Sequence, residues 1–373
     1  MTGGQASERG EGMTEERKKQ EERNRRIIDA VVRRAEMTCP GSLALIGVYG
    51  SFASGRTHPW SDLDLLILVN DKAGYALSAA FVQEDMQVGH DIYCTAWDSL
   101  RAMARFEDPN IAKLMDARIV YCAEERYLEE LEALRRQARE LLEAPFGPAD
   151  QERAEAARRE ALHYYALSTL AETDGEKRKL AGATLYFTEN AVALLNKRYF
   201  RLGTEQRYEE LSAMPRRPAD LCERIEAVAA APTGEAAAEA LQALMKAVGE
   251  TFRQAGDALA AEKAPPAAES LRGTYEEMVS NWRGKLRRAA WIGDRHLAFL
   301  SLASFDGMVE EVRSAGRIGE YDGLSLYDPG DLAGTAERFD ALLERYLEEY
   351  RRAGLEPERY GDIDAFIEKY LQA

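Results

Sequence analysis

At 373 residues, with 46% hydrophobic and 31% charged side chains, the chain is long enough for two or three domains with cores of their own. No apolar run approaches the ~18 residues of a spanning helix. The polar stretch ahead of Arg26 has no apolar segment to act as a signal, so the cytoplasm is the expected address and a membrane is not an expected partner. The net charge of −16, from 65 acidic and 49 basic side chains, argues against a nucleic-acid backbone as the main partner. It suits a small cationic molecule drawn into an acidic cleft. Cys39, Cys94, Cys122 and Cys222 show no paired spacing of the zinc or redox kind and read as reduced thiols.

In chain order, residues 1–25 read as a disordered lead-in. From about Thr14 to Met37, Ile27, Ile28, Val31, Val32 and Ala35 form a helical stripe, which Pro40-Gly41 breaks. Leu43 to Tyr49 reads as a first strand, running into Gly50-Ser51, and Asp62 to Val69 as a second. Tyr75 to Asp85 is expected to be a short helix, and Met86 to Thr95 a third strand. Asp98 should cap a helix running to Arg105, a short helix covers Pro109 to Asp116, and Arg118 to Cys122 makes an edge strand. Beyond Glu124 strand signals almost vanish. Helices are expected over 124–143, 151–172, 176–201, from Pro218 to Glu262, 270–317 and 331–373, with breaks at Ala144–Pro148 and Glu262–Ala268. The predicted class is α+β: a small mixed-sheet domain at 26–127, a helical domain at 128–262 that would choose the substrate, and a C-terminal helical extension at 263–373.

The chemistry concentrates between Gly47 and Val69. A strand puts residues i and i+2 on one face, so Asp62 and Asp64 aim two carboxylates at one point. Such a pair repels unless a cation neutralises it. Mg²⁺ fits, because it takes oxygen ligands and keeps substrate phosphates in its shell. Gly50 lets the backbone approach a phosphate closely, and Ser51 adds a hydroxyl. A lone Gly-Ser is usually just a turn, and a lone Asp-x-Asp a solvated strand end. Their combination, with ten residues between Ser51 and Asp62 and apolar strands on either side, is far more restrictive. Metal ligands beside a phosphate cradle suggest phosphoryl or nucleotidyl transfer. In the third strand, alternation sets Asp91 on the face of Gly89 and Tyr93. Beside the second strand it would join the pair as third metal ligand or base; otherwise it pairs with a nearby arginine.

Gly50-Ser51, ten residues, then Asp62-x-Asp64 resembles the signature of the nucleotidyltransferase superfamily that includes DNA polymerase β. The wider string Gly-Val-Tyr-Gly-Ser…Pro-Trp-Ser-Asp looks most like the kanamycin and aminoglycoside nucleotidyltransferases. The likeness is strong from Leu43 to about Tyr127, looser to about Leu221, and absent from the last 150 residues. It implies transfer of a nucleoside monophosphate, AMP from ATP, to a hydroxyl of a small aminoglycoside-like acceptor. Gly50, Ser51, Arg56 and Ser61 would hold the nucleotide, and Asp62, Asp64 and Asp91 would bind Mg²⁺ and carry catalysis. Many members have Arg three residues after the motif serine; here Ser54 and Gly55 stand there, and Arg56 is the nearest arginine. In the kanamycin-type enzymes a glutamate of the helical domain acts as base. Aligning Arg158–Tyr165 with that helix sets His163 near it and Glu160 one turn away. The resemblance also implies a homodimer. Arg158 and His163 fit the pattern of helical HEPN ribonucleases as well, a spacing that recurs by chance in arginine-rich helices. Two rivals are a catalytically silent nucleotide-binding regulatory or antitoxin-like protein and an RNA-directed transferase, which the acidic charge disfavours.

Overall fold

The computed structural model describes residues 4–202, 206–262 and 264–372, with side chains from Arg17 onward. They form two compact units, Met1–Ala255 and Gly256–Ala373.

The first unit is built around a four-stranded sheet of order β5-β2-β1-β6. Its strands are β1 (Leu43–Val48), β2 (Leu65–Val69), β5 (Cys94–Ala96) and β6 (Arg118–Cys122). β1 runs antiparallel to both β2 and β6, and β5 is parallel to β2. Every residue of β2 is buried, and the strand alternates between two cores. Leu66 and Leu68 pack with Leu100, Leu114 and Leu131, from α3 (Trp97–Ala104), α4 (Ile111–Met115) and α5 (Glu125–Glu143). Leu65, Ile67 and Val69 pack with Val31 and Ala35 of α1 (Gly4–Thr38) on the other face. A strand sealed on both faces reads as a continuous apolar run, as Leu-Leu-Ile-Leu-Val does.

Three expectations change here. The lead-in at 1–25 is helical from Gly4, and three polar residues near its end, Gln20, Arg23 and Asn24, are buried. Gln20 and Arg23 are 2% and 8% exposed. Gln20 Nε2 donates to His58 O at 2.9 Å, and Arg23 Nη2 donates to Ser61 O at 3.0 Å. Of the predicted helix at 75–85, only a 3₁₀ turn over Lys72–Leu77 is helical, capped by Asp71, whose carboxylate accepts from Ala73 N and Gly74 N. The remainder is β3 (Ala79–Gln83), paired antiparallel with β4 (Val88–Ile92). The predicted third strand is therefore two: β4 belongs to this hairpin, and only β5 joins β2.

The rest of the first unit is helical. It comprises α6 (Pro148–Leu170), α7 (Asp174–Leu195), α8 (Arg207–Ser212), α9 (Leu221–Ala229) and most of α10 (Gly234–Glu262), around Leu195, Leu221, Leu241 and Phe252. α7 stops short of 201 because Asn196 turns the chain, its Nδ2 donating to Val192 O and to Arg216 O. In the second unit, α12 (Thr274–Met278), α13 (Gly284–Ile292), α14 (Arg295–Ala315) and α15 (Leu332–Arg352) enclose Trp282, Phe305, Phe339, Tyr346 and Tyr350. In the expected break at Glu262–Ala268, Lys263 lies outside the described residues, and Pro265 and Pro266 are not helical. Among the described residues no helix is long and apolar enough to cross a membrane.

The contact between α1 and the 58–61 turn can be tested directly. Arg23→Met leaves the Ser61 carbonyl buried without its donor, which costs about 1–3 kcal/mol. Urea denaturation should show this as a lower midpoint.

Candidate active site

The antiparallel pairing of β1 with β2 sets the end of β1 beside the start of β2. Val48 faces Leu65, and Tyr49 N donates to Asp64 O at 3.1 Å, one step beyond the ladder. Asp62 and Asp64 are thus in the extended lead-in to β2 rather than in the strand. Alternation still holds there: Leu63 is 3% exposed, and both aspartates are partly open. Across from them Gly50 has φ +69 and begins the short helix α2 (Gly50–Ser54). A Cβ at Gly50 would stand 2.0 Å from Asp64 Oδ2, so only glycine lets this backbone meet the carboxylate.

Burial, then the charge of Asp62, pushes the Asp64 carboxyl up to about 6, while Lys113 pulls it back. Lys113, on α4, is 4% exposed. Its Nζ donates to Tyr93 Oη at 2.7 Å and lies 3.9 Å from the Tyr93 ring centroid. Tyr93 and Tyr49 hydroxyls are 3.1 Å apart. Burial and the Tyr93 hydrogen bond drive the Tyr49 pKa up, so its phenol keeps its proton and remains a donor. Arg23 approaches Asp62 from α1, its guanidinium 5.8 Å from the Phe52 ring of α2. Burial lowers its pKa and the charge of Asp62 opposes that shift.

The remaining predicted residues occupy varied places. The Ser51 hydroxyl has no hydrogen-bond partner among the described residues, and the first N–H groups of any helix lack an intrahelical acceptor, so this turn can receive an anion. Beside Gly50 opens a cleft of about 480 Å³ lined by Arg56, Asp116, Arg201 and Glu210. Arg56 is held there by Glu209 at 3.0 Å, a pair exposed enough to exchange for another anion at small cost. Ser61 is 2% exposed and its Oγ accepts from His58 N at 2.9 Å, so it shapes the turn instead of facing the cleft. Asp91 is exposed on β4, opposite Ala80 in the hairpin register. Among the described residues no three His, Cys, Asp or Glu side chains gather into a metal-holding group. His163 is exposed, with its ring edge-on to Tyr164, and Glu160 lines a separate cavity.

Two carboxylates that repel each other in a partly dry site still suit a hard divalent cation, because Mg²⁺ is commonly held by one or two carboxylates plus substrate phosphates and water. Residues 18–136 match the family model described as a nucleotidyltransferase domain. The matched span contains α1 from Lys18, so Gln20 and Arg23 lie within the matched residues. A solved structure described as a nucleotidyltransferase-like protein from Exiguobacterium sibiricum 255-15 is 11% identical over 69% of this chain and 89% of that one. Its TM-score of 0.32 is too low to bear on the argument. No curated protein matches the chain.

Sequence reasoning missed Arg23, Lys113, Tyr49 and Tyr93. Only the tyrosines carried a signal, Tyr49 directly before Gly50 and Tyr93 in phase with Asp91.

Two outcomes follow from this geometry. Gly50→Ala forces Asp64 off its position and should abolish whatever activity depends on the pair, with the fold kept by circular dichroism. The Asp64 carboxyl is raised from an ordinary value of 3.8 to about 6. Between those values the native state keeps a proton that the unfolded chain has lost. Metal-free stability therefore falls as pH rises through that window, by roughly 3 kcal/mol. Asp64→Asn should flatten this slope in urea titrations run on either side of the window.

Proposed function

We propose that the nucleotidyltransferase domain transfers a nucleoside monophosphate, AMP from ATP, to a hydroxyl of a small cationic acceptor. The observation that carries this reading is the contact of Gly50 with the Asp64 carboxylate, which joins the phosphate-type turn to the acid pair. In the reaction the acceptor oxygen bonds to the α-phosphorus as the bond to the leaving pyrophosphate breaks, and the hydroxyl loses its proton. Gly50 and Ser51 hold the triphosphate through backbone N–H groups and Oγ, and Arg56 leaves Glu209 for a phosphate oxygen. Asp62 and Asp64 would hold Mg²⁺, which neutralises charge on the phosphates when bound. Lys113 fixes the tyrosine wall beside them, and Arg23 fixes the turn that precedes Asp62. Asp91, exposed on β4 two residues before Tyr93, would act as the base on the acceptor proton.

A second reading, a nucleotide-binding regulatory protein without catalysis, is favoured by one observation: the pair lacks a third gathered carboxylate among the described residues. An α-labelled ATP assay with Mg²⁺ against aminoglycosides, other amino sugars and RNA separates the two. Transfer to a small acceptor is expected, and tight ATP binding with no labelled product would favour the regulatory reading. Asp62→Asn or Asp64→Asn should lower transfer by on the order of a thousandfold. Asp91→Asn should lower kcat while leaving the KM for ATP near that of the parent.

A further inference from the structure

A cavity of about 400 Å³ opens between the α3–α4 connection, α4, α6 and α7 of the first unit, and neither Asp62 nor Asp64 lines it. Its walls are mostly apolar and include Phe106, Ile111, Phe187 and Leu194. Two of these rings are held in place. Phe187 stacks on Tyr164 at 5.3 Å with the planes 8° apart. Phe106 has φ +62, a left-handed conformation at the end of α3 that a glycine would adopt without strain. Its ring is buried in the core with Leu100 and Leu114, which offsets the backbone cost, and it also lines the cavity.

The cavity also carries four charged side chains, and two are already committed. Arg105 grips Glu107 through Nε at 2.9 Å and Nη2 at 2.6 Å, and Arg153 is paired with Asp150. The other two, Glu160 and Arg198, are exposed and have no ion-pair partner among the described residues. One uncommitted carboxylate and one uncommitted guanidinium therefore border the same apolar hollow, together with Asn190. Its size lies in the range that encloses a small organic ligand.

The geometry points to a ligand site for an amphipathic zwitterion of amino-acid size with an aromatic body. The body lies against Phe106 and Phe187, Glu160 receives the ammonium group, and Arg198 receives the carboxylate. This site rests on its own observations and does not require nucleotidyl transfer. The probe is L-tryptophan, followed by saturation-transfer NMR and calorimetry on the full chain without nucleotide or metal. Tryptophan should bind saturably. Tryptamine and indole-3-propionate, each lacking one charge, should bind more weakly by roughly tenfold. Glu160→Gln and Arg198→Gln should each weaken tryptophan binding to a similar degree. Ala156→Trp, at an exposed helix position on the cavity wall, should block it while leaving the melting temperature near that of the parent. No saturation at millimolar tryptophan, equal affinity for tryptamine, or binding unchanged by Ala156→Trp would overturn the assignment.

Discussion

The sheet-bearing part of the first unit depends on one close approach, the Asp64 carboxylate against the backbone of Gly50. Two strands running in opposite directions bring these residues together from 14 positions apart in sequence, since Val48 and Leu65 are register partners. Glycine permits the contact, a positive φ aims the following turn, and Asp62 adds a second negative charge. Each of these local choices is unfavourable by itself: a left-handed backbone, a partly dry carboxylate and a like-charged neighbour.

The surroundings offset that cost from both sides of the sheet. α1 brings Arg23 toward Asp62 from one layer, and α4 brings Lys113 toward Asp64 from the other. Neither cation forms a close ion pair with its aspartate. Arg23 spends its Nη2 on Ser61 O and its Nε on Asn24, and Lys113 spends its Nζ on Tyr93. Both carboxylates are thus balanced at a distance while their oxygens stay open. That arrangement differs from a structural salt bridge, in which the partners satisfy each other and leave nothing for a ligand.

The turn and acid pair were legible because residue type and spacing carry that information directly. The two-sided strand was equally plain, since Leu65–Val69 is an unbroken aliphatic run. The supporting cations were not legible. Arg23 sits in a highly charged helix, where an arginine reads as a solvated face, and nothing local separates a buried one from its neighbours. Lys113 falls between Ile111 and Leu114 with no pattern to mark it. β3 gave no strand signal because Ala79–Val82 are exposed, so no apolar–polar alternation develops. The division of the third strand was hidden for another reason. Alternation persists through Tyr93, and a period of two does not reveal that β4 and β5 pair with different strands.

The complete burial of β2 has a consequence for the chain before it folds. Leu-Leu-Ile-Leu-Val is a short, uncharged, proline-free stretch of high strand propensity, the composition that stacks into intermolecular sheets when exposed. In the native sheet β1 and β5 occupy both of its edges. During synthesis those edges are open, and the nearest charges are Asp62 and Asp64 on one side and Asp71 and Lys72 on the other. The acid pair therefore also works as a gatekeeper, keeping nascent copies of β2 apart by repulsion.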